Sequence, residues 1–317
     1  MTVSRVLHGQ GGSQHEERVL AAVRELDYVP VRSAVQNRHV KTNILGVLLD
    51  DEFSFESPLG QRTFDGLRRA AFEGGYDLLM LHPQHHRPLE KQKIQFLDRR
   101  CDGFIFVVPY EKSEILQLLV QHQFPAVTCY STDVPEGIAW VVPENQDTIR
   151  RAIGLLRGYG HQKIAFWSAG QRHSDARERL STYQQAMDEA GSEAVSFDFS
   201  LENEDGAQHR QLIEEILRHQ ITAVICHNDE RAVALWDAAC ERGLKIPESL
   251  SIIGIDDMPQ AANYGLTTFA NPFTLTGSSA VSSIIALLQG GEVEANCKRL
   301  PMTLIQRHSV AAPRIFS

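Results

Sequence analysis

The chain is predicted to be an α/β protein of two doubly wound parallel-sheet lobes, preceded by a short helical head. Apolar runs of strand length alternate with helical patterns, the mark of parallel strands buried on both faces. The runs fall into two series, and the roughly 270 residues after Asn43 exceed the usual span of one core. Charge is split as well: of the net −9, residues 1–43 carry +2 and the rest −11, a basic head on an acidic body.

In chain order, Val3, Val6 and Leu7 stand at i, i+3 and i+4 and share one helical face, with Thr2, Ser4 and Arg5 on the other. Gly9, Gly11 and Gly12 follow, and Ser13 lies three residues before Glu16, the spacing of a capping box. Val19, Ala22, Val23 and Leu26 then form an apolar stripe, and Pro30 ends that helix because it disfavours helical backbone at Val29. The connector Val31–Asn43 holds Arg32, Arg38, His39 and Lys41 and no acid.

The first strand series reads Ile44–Leu49, Leu78–Leu81, Gly103–Val108 and Ala126–Thr128, with helical patterns at Gly66–Glu73, Glu90–Arg99 and Ser113–Gln121 between them. A second series comprises Lys163–Trp167, Ala223–Cys226 and Ser251–Ile255. Near the C-terminus, Ser278–Gln289 reads as a structural helix.

Parallel sheets bind ligands at the carboxyl ends of their strands. Those positions are Asp50, Asp51, Phe53 and Phe55 after the first run; Asp175 and Arg179 after Trp167; Ser200 after Phe197–Phe199; His227, Asn228 and Asp229 after Cys226; and Asp256 and Asp257 after Ile255. Aromatic faces combined with arginine, asparagine and aspartate suit a flat ligand rich in hydroxyls or amides, taken into a cleft between the lobes. Phe53, Phe55 and Phe199 also fit a plain packing role, and Asp229 and Asp257 fit structural carboxylates better than ligand contacts.

Other chemistry is poorly supported. Cys101, Cys129, Cys226, Cys240 and Cys297 form no Cys-x-x-Cys pair, and with no secretion signal they read as reduced thiols in a cytoplasm. His82, His85 and His86 lack a fourth ligand and read as a solvated loop rather than a metal site. No dinucleotide fingerprint, P-loop or nucleophile elbow is present, so no cofactor is expected. Asp256 and Asp257 are not expected to share acid–base work, because neighbours on extended backbone point to opposite sides. No stretch is long and apolar enough to span a membrane.

Several segments together resemble the lactose-repressor (LacI/GalR) family of bacterial transcription regulators over nearly the whole chain. They are Thr2–Leu7, the glycine turn, Glu17–Pro30 and Thr42–Leu48; Arg179–Tyr183, with Thr182 where the family has glycine; Cys226–Ala232; Ile252–Asp257; Phe269–Thr274, similar to a crossover back to the first lobe; and Leu304–Pro313. The resemblance implies a periplasmic-binding-protein-like body, residues 44–317, behind a helix-turn-helix segment and hinge, residues 1–43. Lobe 1 would span about 44–141 and 273–299, and lobe 2 about 142–272 and 300–317. Arg179, Asn228 and Asp256 match effector hydrogen-bonding positions and Phe199 an aromatic that packs on the effector. Asp175 is placed by its position after a strand, and Asp50, Phe53 and Phe55 by position in the other lobe.

In the head, Thr2 and Ser4 would face the major groove, while Arg5, Arg32 and Arg38 would meet phosphates. Asn37 stands where the family has a leucine wedge that kinks DNA in the minor groove. Met1 falls inside the region matching the recognition helix, so an incomplete helix-turn-helix is expected. The leading function is a dimeric, cytoplasmic DNA-binding regulator, a repressor, that binds operator DNA, given the helix upstream of the matching region, under control of a small-molecule effector, a sugar. The alternatives are a sugar-binding protein without independent DNA binding and a sugar-acting enzyme.

Overall fold

The computed structural model describes residues 16–25, 41–49, 57–81, 89–109, 113–170, 173–198 and 207–313. The predicted DNA contacts Thr2, Ser4, Arg5, Arg32, Asn37 and Arg38, and the predicted effector contacts Asp50, Phe53, Phe55 and Phe199, lie outside them, as do His82, His85 and His86. In the head, helix α1 covers Glu16–Glu25.

Two compact units follow from the contacts: Met1–Val142 with Phe273–Lys298, and Pro143–Pro272 with Arg299–Ser317. In the first, β1 (Ile44–Leu49), β2 (Asp77–Leu81), β3 (Gly103–Val107), β4 (Ala126–Cys129) and β5 (Ala139–Pro143) are joined by β11 (Lys298–Leu300). Their order is β11-β5-β4-β3-β1-β2, and β1 to β5 pair in parallel. Helices α2 (Pro58–Glu73), α3 (Leu89–Leu97), α4 (Glu114–Gln121) and α10 (Phe273–Leu288) belong to this unit. All of β3 and β4 is buried, which accounts for their almost wholly apolar sequence. Phe96, Phe104 and Phe124 pack ring against ring beside them, with centroids 5.2 Å apart for both Phe96–Phe104 and Phe104–Phe124.

The entry to β1 is clamped by one carboxylate. Asp102 accepts the backbone N–H groups of Thr42 and Asn43 and the Thr42 hydroxyl, each at 2.8 Å, so the end of the connector is fixed by charge-assisted bonds.

Two helices begin earlier than their sequence patterns indicate. Ser57 caps α2 by accepting Gly60 N–H at 3.1 Å, with Pro58 in the first turn; Gly60 and Gly66 had disguised that start. Helix α10 begins directly after Pro272, with Phe273 buried.

The second unit has β6 (Ile164–Trp167), β7 (Val195–Phe197), β8 (Ala223–Cys226), β9 (Ser251–Ile255), β10 (Thr267–Ala270) and β12 (Thr303–Ile305), ordered β12-β10-β9-β8-β6-β7. All pairings are parallel except β10 with β12. Helices α5 (Asn145–Gly158), α6 (Ser174–Glu189), α7 (Ala207–Arg218), α8 (Asp229–Glu241) and α9 (Pro259–Tyr264) cover it. One face carries Phe166, Tyr183, Ile225, Ile253 and Phe269, the other Trp167, Leu212, Val224, Leu235 and Ile252. Tyr183 stacks on Phe166 at 5.5 Å, and its hydroxyl lies 2.9 Å from the Ile164 and Val195 carbonyls, tying α6 to β6 and β7. Strand β7 ends at Phe197.

Candidate functional site

Because the second sheet is parallel, its carboxyl ends set Ser168, Asp198, His227 with Asn228, Asp256 with Asp257, and Asn271 along one edge. The strand order reverses between β6 and β8, a topological switch point. Helix α6 starts beside it and brings Asp175 and Arg179 on one face, since they are four residues apart.

Arg179 is the best-held of these groups, with 3% of its surface exposed. Its Nε donates to Asn145 Oδ1 at 2.8 Å and Nη1 to the His227 carbonyl at 2.6 Å. Both partners are fixed, Asn145 in the first turn of α5 and His227 through its N–H to the Trp167 carbonyl at 2.9 Å. The two contacts orient the guanidinium, and among the described residues Nη2 has no hydrogen-bond partner.

The half-buried Asp175 carboxyl is pushed up to about 7. Burial is the main cause, opposed by Arg179 and an Asn145 hydrogen bond and reinforced by Glu178 and Asp256. At neutral pH this group can therefore donate or accept a hydrogen bond. His227 is held well below its usual range by burial and by Arg179, Arg231 and His173, and is neutral.

Asp256 is 9% exposed and accepts Asn271 Nδ2 at 3.0 Å, while Asn271, 8% exposed, keeps Oδ1 buried with no hydrogen-bond partner among the described residues. Asn271 thus joins the site although the sequence had not singled it out; it stands at the end of β10, where the rule that found Asp256 applies equally. Asp256 and Asp257 are not on extended backbone, having φ of 116° and 52°. Their carboxylates nevertheless diverge: Asp257 accepts Arg307 Nη2 at 2.7 Å.

Asn228 is the N-cap of α8, its Oδ1 accepting Arg231 N–H at 3.1 Å. Asp229 is structural: its carboxylate accepts Met258 N–H at 2.7 Å and the Thr268 hydroxyl at 2.6 Å. Of the predicted set, the structure gathers Asp175, Arg179, Asn228 and Asp256 at one sheet edge.

Asp229 yields a pH prediction. Burial pushes its carboxyl up to about 7, against the Thr268 and Met258 hydrogen bonds and with help from Asp256 and Asp257. Between about pH 4 and 7 the folded state then holds a proton that the unfolded chain has released, so this group's contribution to stability grows as pH falls. His227, buried neutral, works in the opposite sense, so the comparison must be between variants. Asp229→Asn is expected to be more stable than the wild type at pH 7.5 and to lose that advantage towards pH 5, with a slope of up to about 1.4 kcal/mol per pH unit. Urea melts at several pH values measure it, and a pH-independent difference refutes it.

Among the described residues no group of three or more His, Cys, Asp and Glu side chains could hold a metal ion, and no described helix is long and apolar enough to cross a membrane. Burial raises the Cys101 and Cys129 thiols to about 12, so neither is a thiolate nucleophile.

Comparison with known proteins agrees with this geometry. Residues 153–310 match the periplasmic binding protein-like domain. The HTH-type transcriptional regulator AscG of Escherichia coli K12 is 29% identical, covering 98% of this chain and 95% of its own length. The transcriptional repressor CytR of the same strain is 28% identical, covering 98% and 92%. Among solved structures, the transcriptional regulator CelR–cellobiose complex superposes with a TM-score of 0.72 at 23% identity, covering 98% of this chain and 95% of that one. The lac repressor dimer bound to operator and the anti-inducer ONPF gives 0.71 at 24%, covering 98% and 94%. A LacI-family regulator from Bifidobacterium animalis subsp. lactis gives 0.74 at 20%, covering 87% and 100%. With a parallel-sheet body, its polar cluster at the strand ends and relatives aligned along nearly its whole length, the chain is similar to HTH-type transcriptional regulators and to solved regulators of the LacI family.

Proposed function

We propose that the chain is an effector-controlled DNA-binding repressor that works as a cytoplasmic homodimer and catalyses no reaction. The observation that carries the effector half is the cluster of Arg179, Asp175, Asn228, Asp256 and Asn271 at the carboxyl ends of the second sheet. It offers both donors and acceptors, which suits vicinal hydroxyls, and the cellobiose complex of CelR favours a sugar. The chemistry of the cluster supports binding over turnover: its arginine is held by two acceptors, and among the described residues no thiolate or activated hydroxyl accompanies the carboxylates. DNA binding is supported by the HTH-type relatives, and dimerisation by the need of each head for a half-site.

The test has two arms. Selection from a random duplex library by the purified chain, at stated salt, is expected to enrich a two-fold symmetric site. A panel of mono- and disaccharides screened by thermal shift is expected to yield one that raises the melting temperature and changes retention of that site. Saccharide binding without DNA enrichment would leave a sugar sensor with no DNA role; DNA enrichment indifferent to every polyol would remove the effector assignment.

A further inference from the structure

We infer that Asn145 is the positioning residue of the effector site: its amide fixes the Arg179 guanidinium in the orientation that a ligand meets. The inference rests on the reading of Arg179 as an effector contact. Asn145 is fully buried at the start of α5, two residues after the chain enters the second unit, and no sequence motif marks it.

Its amide serves three residues of one helix face. Oδ1 accepts Arg179 Nε at 2.8 Å, Nδ2 donates to Glu178 Oε2 at 3.1 Å, and the amide also hydrogen-bonds the Asp175 carboxylate. Residues 175, 178 and 179 are neighbours on α6 by their i, i+3 and i+4 spacing. Glu178 is held in turn by Gln146 Nε2 at 3.0 Å and by Arg299 Nη1 at 2.8 Å, Arg299 being the first residue of the unit's last segment.

The polarity of these contacts explains why an amide stands here. Arginine needs an acceptor at Nε and glutamate needs a donor, and one side chain must supply both across a few ångströms. Aspartate would satisfy Arg179 and repel Glu178; lysine would do the reverse; alanine would leave a buried guanidinium edge short of its acceptor and remove one of the donors to Glu178. A guanidinium with two contacts is oriented, whereas the His227 carbonyl alone leaves it free to swing about Nη1. Asn145 thus removes a freedom that a ligand would otherwise have to remove on binding.

The test needs no identified effector. In the ¹⁵N-labelled full chain, the Arg179 Nε–H correlation, recognised by its loss in Arg179→Lys, is expected to be visible and slow to exchange with water at pH 7.5. Asn145→Ala is expected to speed that exchange about tenfold or more, the loss of one hydrogen bond, and to raise the pH at which the Asp175 carboxyl titrates, because a bond that favoured its ionised form is gone. Asn145→Asp, which retains the acceptor, and Glu178→Gln, which lies in the same network but does not touch Arg179, are expected to keep the Arg179 correlation protected.

An unchanged correlation in Asn145→Ala overturns the inference, as does its loss in Asn145→Asp or Glu178→Gln, which would mean that the network merely supports the fold. If Asn145→Ala does not fold, Asn145→Asp still decides. Failure of the effector reading is separate: an Arg179→Ala chain that still responds fully to the saccharide of the thermal-shift screen refutes the binding role of Arg179 and leaves its tether to Asn145 standing.

Discussion

Arg179→Ala is expected to lose about a hundredfold or more in affinity for the saccharide that stabilises the wild-type chain, while remaining folded. Hydrogen bonds from a charged donor contribute about 1.5–3 kcal/mol each, and a guanidinium oriented by Asn145 Oδ1 and the His227 carbonyl delivers them without first being ordered. Loss of one or two such bonds gives a factor on the order of a hundred. The fold is affected as well, since Asn145 Oδ1 and the His227 carbonyl lose their donor; a cost of about 1–3 kcal/mol follows, read as a lower melting temperature without ligand. Arg179→Lys is expected to recover little affinity, because one ammonium cannot reach Asn145, His227 and a ligand together. Calorimetric titration against the selected saccharide measures the effect. An affinity within threefold of the wild type for Arg179→Ala would remove this residue from the site.

How far the sequence could lead depended on how each residue is buried. Five strands were legible because their two covered faces leave no exposed position: β3, β4, β6, β8 and β9 are buried throughout, whereas β5 and β10, with one less-buried residue each, were not singled out. Val195–Phe197 and Lys298–Leu300 were not, being three-residue edge strands with exposed polar positions. Helix α6 was hard to read for a chemical reason, since its buried face carries Arg179 and Thr182 beside Leu180 and Tyr183, which blurs the apolar stripe.

Among the candidate site residues, Asp256 and Arg179 could be placed at the sheet edge from strand ends and motifs. Asn271 was hidden by reading its segment as a crossover rather than as the end of a strand. Asn145 left no local signal, because its role depends on three side chains thirty or more positions away. Asn228 could be placed but its duty could not: a cap and a ligand contact share the same sequence position, and the Arg231 N–H takes its oxygen.

The largest stability effect is expected where α2 and α10 cross. Neither Gly66 nor Gly277 has a positive φ, so flexibility is not what requires them; space is. A Cβ on Gly66 would sit 2.0 Å from the Thr274 carbonyl oxygen and 2.8 Å from its carbon, and one on Gly277 would sit 2.1 Å from the Thr63 carbonyl oxygen and 2.9 Å from Leu67 N. All these are backbone atoms, which no rotamer change can move aside. Each alanine must push the helices apart, opening the packing around Leu67, Phe273 and the Thr63–Tyr130 hydrogen bond of 2.7 Å. A cost of about 3 kcal/mol for Gly66→Ala or Gly277→Ala is expected, at the upper end for overpacking because the whole crossing must yield. The double variant is expected to cost less than the sum, since the first methyl opens the gap that the second occupies. Gly154→Ala is the control: Gly154 lies inside α5 with nothing within 4 Å of its would-be Cβ, so alanine there is expected to stabilise by up to about 1 kcal/mol through helix propensity alone. Urea denaturation gives the free energies, and hydrogen exchange by mass spectrometry locates them, with faster exchange across Pro58–Glu73 and Phe273–Leu288 in the first two variants. A loss below 1 kcal/mol at both crossing glycines, or simple additivity in the double variant, would show that the helices are held apart by something other than their backbones.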